Sequence, residues 1–152
     1  MSTSPPASAA ELRARALRLL ARREHSRAEL ARKLAPHAGS AQELETLLES
    51  LIEKKQLSDE RYASERARCL ARKYGPARIR HDLRAKGVAE ELVALACSGD
   101  DEIEQASLAL RKKYRTPATT REERARRARF LQGRGFSYEA IRRALDLGDA
   151  CL

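Results

Sequence analysis

The chain has 152 residues and a net charge of +9, with 42% hydrophobic residues, only 4% aromatic residues and no tryptophan. This composition favours thin helical bundles over one thick core. No apolar run approaches the ~20 residues of a membrane span, and the first residues lack the basic and apolar segments of a signal peptide. We therefore expect a cytoplasmic protein that has no membrane partner.

Apolar residues recur at helical spacing along most of the chain, and no useful segment alternates as a β-strand does. The pattern predicts an all-α fold of three tandem three-helix, helix-turn-helix-like repeats that form an elongated body, expected to be a monomer. The predicted division is a disordered leader at 1–8, repeats at 9–57, 58–98 and 99–148, and a tail at 149–152.

One helix start occurs three times, at residues 25–30, 74–79 and 136–141. Each copy has an aromatic ring, then a small residue suited to an N-cap, then a branched aliphatic residue four positions further on. His25 occupies the ring position of the first copy, so we interpret it as a packing residue rather than a catalytic base. The repetition indicates one supersecondary unit used three times, an architecture that usually binds along an extended surface.

Local signals place several helix ends and core positions. Predicted capping boxes pair a hydroxyl residue with a glutamate three positions later, at Ser26 and Glu29, Ser40 and Glu43, and Thr120 and Glu123. Leu48 and Leu83 fall on apolar helix faces and are predicted core residues. The last helix of the second repeat is predicted to pack through Val88, Leu92, Leu95 and Ala96.

The charges are segregated into blocks. Residues 11–34 carry eight Lys and Arg against three acids, 61–86 carry nine against two, and 111–134 carry ten against two. Such blocks indicate a polyanion or an acidic protein surface as the partner. The alternative is a set of solvated helices, stabilised by i,i+4 pairs such as Glu122 with Arg126 and Glu123 with Arg127.

Groups that could carry catalysis are few and scattered. The three histidines are isolated, and the glycines at 133 and 135 lack the Lys-Ser/Thr of a phosphate-binding loop. No His, Cys and Asp cluster has metal-ligand spacing, and the three cysteines form no CxxC motif. We therefore predict no catalytic residues, no metal, no cofactor and no enzymatic activity.

Three segments resemble the bacterial RecX family, in the family's order and spacing. They are Ser26-Arg27-Ala28-Glu29-Leu30 with Lys33-Leu34, then Ser58 to Ala63 with Tyr74 to Val88, and Arg129 to Ser137 with Ile141. The resemblance covers about residues 11–147. Asp82 stands where the family usually has Glu, and Gly133 ends a helix that is normally built of longer residues.

The resemblance implies an inhibitor of the RecA recombinase that lies in the groove of the RecA–single-stranded DNA filament. It would limit filament growth, ATPase, strand exchange and co-protease activity, and so regulate DNA repair, recombination and the SOS response. Basic faces would meet DNA phosphate or acidic recombinase surfaces. The candidate contact residues are Arg72, Lys73, Arg78, Arg80, Arg84, Lys86, Arg124, Arg127 and Arg134.

Two other classes of function fit the helical pattern. One is a helix-turn-helix transcription factor, although the four glutamates between residues 43 and 53 would be repelled by a phosphate backbone. The other is a basic helical-repeat adaptor for RNA or for another protein. Enrichment of a sequence motif from random duplex DNA would separate the transcription factor from a filament regulator.

Overall fold

The computed structural model describes residues 8–150 and places them in nine α-helices and one short 3₁₀-helix, with no β-strand in that range. Unit one contains α1 (Ala9–Arg22), α2 (Arg27–Leu34), the 3₁₀-helix (Ala35–His37) and α3 (Ala41–Glu53). Unit two contains α4 (Asp59–Leu70), α5 (Pro76–Ala85) and α6 (Glu90–Ala96). Unit three contains α7 (Glu102–Lys113), α8 (Arg121–Gly133) and α9 (Tyr138–Ala150). The predicted all-α class is confirmed.

Hydroxyl side chains begin most of the helices, as the capping signals predict. Ser26 accepts the N–H of Glu29 at 3.1 Å, and Ser40 and Thr120 do the same for Glu43 and Glu123. Ser8, which the sequence assigned to the leader, caps α1, and residues 1–7 lie outside the described range. At the other end, α9 continues through Asp149, which the sequence assigned to the tail; residues 151 and 152 lie outside the described range.

Each unit buries its own apolar cluster, built chiefly of leucine in unit one, of alanine, isoleucine and valine in unit two, and of alanine and leucine in unit three. Leu48 and Leu83 are 1% and 0% exposed, so both predicted core positions are confirmed. The prediction for α6 is wrong at Leu95, which is 59% exposed, because the helix turns Val93 into the core instead. Replacing Leu48 or Leu83 by Ala should lower the free energy of unfolding by about 2–5 kcal/mol.

Two middle helices end in the same glycine turn. Gly87 after α5 and Gly135 after α8 have φ of 79° and 91°, the left-handed backbone that favours glycine. In each turn a following apolar residue donates its N–H back into the helix, Val88 to Leu83 at 3.1 Å and Phe136 to Leu131 at 3.2 Å. The repeated helix start itself begins the middle helix in units one and two, but in unit three it begins α9.

Consecutive units meet through these ends: the start of one middle helix packs against the glycine turn of the next unit. At the junction of units one and two, Ser26 Oγ donates to Lys86 O at 2.8 Å, beside Gly87. At the junction of units two and three, Gly75 N donates to Arg134 O at 2.7 Å and Ala77 N to Gly135 O at 3.2 Å. The second junction is therefore joined directly from main chain to main chain.

Candidate nucleic-acid interface

Cations and aromatic rings alternate along one continuous row that crosses the junction of units two and three. We define the cation–aromatic row as Arg78, Tyr74, Arg134, Phe130, Lys113, Tyr114 and Arg127. Planar guanidinium groups and ammonium groups are attracted to the negative faces of aromatic rings. The row therefore holds four positive charges at defined places on the surface.

The unit-two end of the row is centred on Tyr74. The guanidinium of Arg78 lies 4.8 Å from the ring centroid, and that of Arg134 lies 5.4 Å from it. Each arginine also reaches across the junction, Arg78 Nη1 to Gly133 O and Arg134 Nη1 to Lys73 O, both at 3.4 Å. Tyr74 thus carries two guanidinium groups that come from different units.

The unit-three end continues through Phe130 and Tyr114, whose rings meet edge to face with centroids 5.9 Å apart. Phe130 has Arg134 at 5.0 Å and Lys113 Nζ at 4.3 Å from its centroid. Tyr114 has Arg127 at 4.5 Å. Because all three rings of the row are half-buried, they act as a support under the charges rather than as an open apolar surface.

Three of the nine predicted contact residues, Arg78, Arg127 and Arg134, come together in the row. Two others are neutralised by neighbouring carboxylates. Arg84 makes a bidentate pair with Glu90 at 2.9 and 2.6 Å, and Arg124 pairs with Asp146 and Asp149 of α9. Arg124 and Arg127 lie three positions apart on α8, but only Arg127 belongs to the row.

The remaining four predicted residues flank the row or lie away from it. Arg72 and Lys73 are exposed in the turn that precedes Tyr74. Arg80 is half-buried and lowers the pKa of the Cys97 thiol, although the larger effect there is burial, which leaves that pKa above its ordinary value. The main-chain carbonyl of Lys86 accepts from Ser26 Oγ at the junction of units one and two.

Ion pairing around α8 differs from the alternative in which i,i+4 pairs stabilise a solvated helix. Neither Glu122 with Arg126 nor Glu123 with Arg127 forms an ion pair within 4 Å in the described part of the chain. Glu123 Oε2 instead accepts the N–H of Thr119 at 2.8 Å. This hydrogen bond is the main reason that the pKa of Glu123 lies below its ordinary value, with the charge of Arg127 adding to the shift.

Sequence reasoning missed Lys113 and the three rings as parts of this site. The signal that could have found them is the interleaving of aromatic and basic residues at the ends of α4, α7 and α8. Their association depends on residues about sixty positions apart, such as Lys73 and Arg134.

Three buried polar residues lie together at the junction of units one and two. His25 is 2% exposed, Ser26 is 0% and Glu29 is 6%. Since the carbonyl of Arg23 can only accept, His25 Nδ1 donates to it at 3.0 Å, and Nε2 accepts from Lys33 Nζ at 3.1 Å. The ring is therefore neutral, and burial lowers its pKa. His25 is a buried packing residue, as predicted, but one that is fully hydrogen-bonded.

Glu29 faces this histidine and is held by Arg23. Burial alone would raise the pKa of Glu29, but the hydrogen bonds and charge of Arg23 outweigh it, so the pKa lies below the ordinary value. The carboxylate of Glu29 consequently does not close the predicted capping box on Ser26. Its charge in turn adds to burial in raising the pKa of Tyr62 across the junction.

Three properties of residues 8–150 bear on other kinds of site. No helix among them is both long enough and apolar enough to cross a bilayer. No three of their His, Cys, Asp and Glu side chains are grouped so as to hold a metal ion. Cys69 and Cys97 are free thiols, exposed and half-buried respectively, while Cys151 lies outside the described range.

Family models match residues in each of the three units of the chain. Models described as the first, second and third three-helix domains of RecX match residues 13–38, 58–96 and 100–145. Together these matches span well over half of the sequence.

Curated relatives are similar along nearly the whole chain. The regulatory protein RecX of Leptothrix cholodnii is 44% identical over 140 residues, which are 91% of this chain and 89% of the relative. That of Herbaspirillum seropedicae is 44% identical over 142 residues, 92% of this chain and 90% of the relative.

Solved structures share the fold. The crystal structure of RecX from Lactobacillus salivarius superposes with a TM-score of 0.79 at 21% identity, covering 93% of this chain and 97% of that one. A crystal structure of a regulatory protein RecX superposes with a TM-score of 0.75 at 24% identity, covering 91% of this chain and 73% of that one. On the family models and the curated relatives together, this chain belongs to the RecX family of regulatory proteins.

Proposed function

We propose that this protein is a non-catalytic inhibitor of a RecA recombinase, which binds in the groove of the RecA–single-stranded DNA filament. In that position it limits filament growth, ATP hydrolysis, strand exchange and co-protease activity, and thereby regulates DNA repair and recombination. It acts as a cytoplasmic monomer. The observation that carries the proposal is family membership along nearly the whole chain, with relatives named regulatory proteins.

The distribution of charge supports a filament as the partner. A recombinase filament on single-stranded DNA offers phosphate groups and a repeating protein surface along one groove. The cation–aromatic row crosses two units, so its positive charges extend along the chain rather than surrounding a single pocket. Polyanion binding by a row of cations releases counterions and is strongly salt-dependent.

A regulatory rather than enzymatic role is supported by where the perturbed side chains lie. Catalytic groups with shifted pKa values usually converge in a cleft. Here Arg23, His25 and Glu29 bond to one another and to the main chain at the junction of units one and two. A groove of about 730 Å³ between α7, α9 and the segment 114–118 is lined by mixed charges around aliphatic side chains.

An ATPase titration of the cognate recombinase on single-stranded DNA tests the proposal. We expect inhibition at or below one protein per recombinase protomer, a parallel loss of strand exchange, and no ATP hydrolysis by this protein alone. Recombinase activity that stays unchanged at several-fold excess of this protein over filament would exclude the proposed function. Heat-denatured protein at the same concentration is the control for nonspecific effects.

A further inference from the structure

The four cations of the row lack acidic partners. None of Arg78, Lys113, Arg127 and Arg134 lies within 4 Å of a carboxylate in residues 8–149, whereas Arg84 and Arg124 are both paired. Like charges held close together without acids cost stability, and in this chain aromatic rings offset that cost. The arrangement keeps the positive charge available to a ligand.

The rings also fix the orientation of the guanidinium groups. An arginine carries five N–H donors in a planar fork, and Arg78 and Arg134 each use one of them in a long bond of 3.4 Å to a carbonyl. The other donors are free to meet an oxygen anion. Because a side chain already placed by stacking loses less freedom on binding, such a site gains affinity from pre-organisation.

The composition of the row favours phosphate over an acidic protein surface. Protein interfaces bury an apolar centre, but none of the five large hydrophobic residues that are exposed in the described part of the chain belongs to the row: Ile52, Leu95, Leu108, Tyr138 and Leu147. Interfaces with nucleic acid backbones are polar and positively charged. Each ring of the row already has two cations within 6 Å of its centroid, which leaves little ring surface for stacking of bases.

We propose that the cation–aromatic row binds the phosphodiester backbone of single-stranded DNA without reading its bases, with the strongest contacts at Arg78 and Arg134. This inference deepens the proposed function and rests on it for the identity of the strand, the one within the filament. Arg72 and Lys73 extend the positive charge at this end. The Arg127 end is weaker, because Asp100, Asp101, Glu104 and Asp149 line the same groove as Arg127.

Binding of free oligonucleotides, followed by fluorescence anisotropy at several salt concentrations, tests the inference. The probes are a dT oligonucleotide and an abasic oligonucleotide with the same number of phosphates. We expect the wild-type protein to bind both within about twofold. A tenfold or larger preference for the oligonucleotide that has bases would overturn base-independent binding.

Two double variants distinguish binding by the row from a general effect of positive charge. Arg78→Ala with Arg134→Ala should reduce the salt slope by about 1.4, since each phosphate contact on a single strand contributes about 0.7. Arg15→Ala with Arg18→Ala is the matched control: it removes the same charge from exposed arginines of α1 that form no ion pair within 4 Å in the described chain. An equal loss of slope in both double variants would overturn the inference.

The double variant could also lose the junction of units two and three, so Arg134→Lys is tested as a conservative variant that retains it. It keeps the charge and a donor for Lys73 O but loses the planar fork, so the salt slope should persist while affinity for both oligonucleotides falls about threefold. Unchanged affinity would contradict pre-organised binding. Recombinase inhibition by the wild-type protein is measured separately. If the wild-type protein does not inhibit, the proposed function is wrong. If it inhibits but the Arg78→Ala, Arg134→Ala variant keeps the wild-type salt slope, only this inference is wrong.

Discussion

The two junctions between units use the same elements but different chemistry. Between units two and three the contact is made mainly by main-chain groups at Gly75 and Gly135, with two longer side-chain bonds from Arg78 and Arg134. Between units one and two it depends on side chains: Ser26 to Lys86 O, Asp59 to the N–H of Arg27, and Arg61 to Glu24. We therefore expect the first junction to respond to pH and salt more than the second, which lies beside the cation–aromatic row.

The largest effect is expected from a methyl group placed between units two and three. A Cβ at Gly75 would lie 2.5 Å from Gly135 O, and one at Gly135 would lie 2.7 Å from Arg78 N at a φ of 91°. We expect Gly135→Ala to cost roughly 1–3 kcal/mol from the left-handed backbone, with a similar amount from the clash. Urea unfolding of the variant measures the loss.

Gly133→Ala is the matched control for that prediction. It lies two residues away, in the last turn of α8, and a Cβ there would meet nothing within 4 Å. Because alanine is a better helix former than glycine, this variant should be more stable by about 0.5–1 kcal/mol. Similar losses in both variants would mean that the close approach of the main chains is not what holds units two and three together.

At the junction of units one and two, Ser26→Ala should produce a smaller loss. The hydroxyl caps α2 by accepting from Glu29 N and donates to Lys86 O, and the residue is fully buried. We expect a cost of about 1–2 kcal/mol. Ser40→Ala removes an exposed cap of α3 that makes no bond to another unit, so a greater loss at Ser40 than at Ser26 would contradict the role of Ser26 in joining the units.

Acid should loosen the first junction before the second. The pKa of His25 is lowered from 6.5 in the folded protein, so the unfolded chain takes up a proton first and stability falls as pH drops below about 6.5. The pKa of Glu29 is lowered from 4.5, so its contribution is lost only when pH falls below that value and through the folded pKa. Both shifts act in the same direction, against stability at low pH.

The role of His25 protonation is tested by comparing the melting temperatures of the wild type and of His25→Gln at pH 7, 6 and 5. The glutamine can donate to Arg23 O and accept from Lys33, but it does not titrate. We expect the melting temperature of the variant to fall less than that of the wild type between pH 7 and 5. Parallel curves would show that the neutral histidine is not the acid-sensitive group.

The smallest effect is expected from the exposed pair across the first junction. Arg61 and Glu24 are 2.9 Å apart, with side chains 46% and 25% exposed. Glu24→Gln should cost about 0.2–1 kcal/mol at low salt and less at high salt, because solvent screens such pairs. Glu90→Gln, which breaks a pair within unit two, is the control. A loss at Glu24 that does not depend on salt would contradict an electrostatic contribution to this junction.

The sequence by itself determined the helices, their caps and most of each unit's core. These features depend on residues three or four positions apart, such as Ser26 and Glu29, so local spacing carries the information. Leu48 and Leu83 are buried as predicted, whereas Leu95 is exposed because α6 has only seven residues, too few for its apolar stripe to fix which side faces the core.

Only the tertiary structure decided which charges are free. Arg84 and Arg124 look like Arg78 and Arg134 in the sequence, yet the first two face carboxylates and the second two face Tyr74. Arg134 meets Lys73 O across 61 positions, and Arg78 meets Gly133 O across 55. Contacts at such separations follow from how whole units pack, which in this chain depends on two glycines that let main chains touch, and no periodicity within a single helix encodes that.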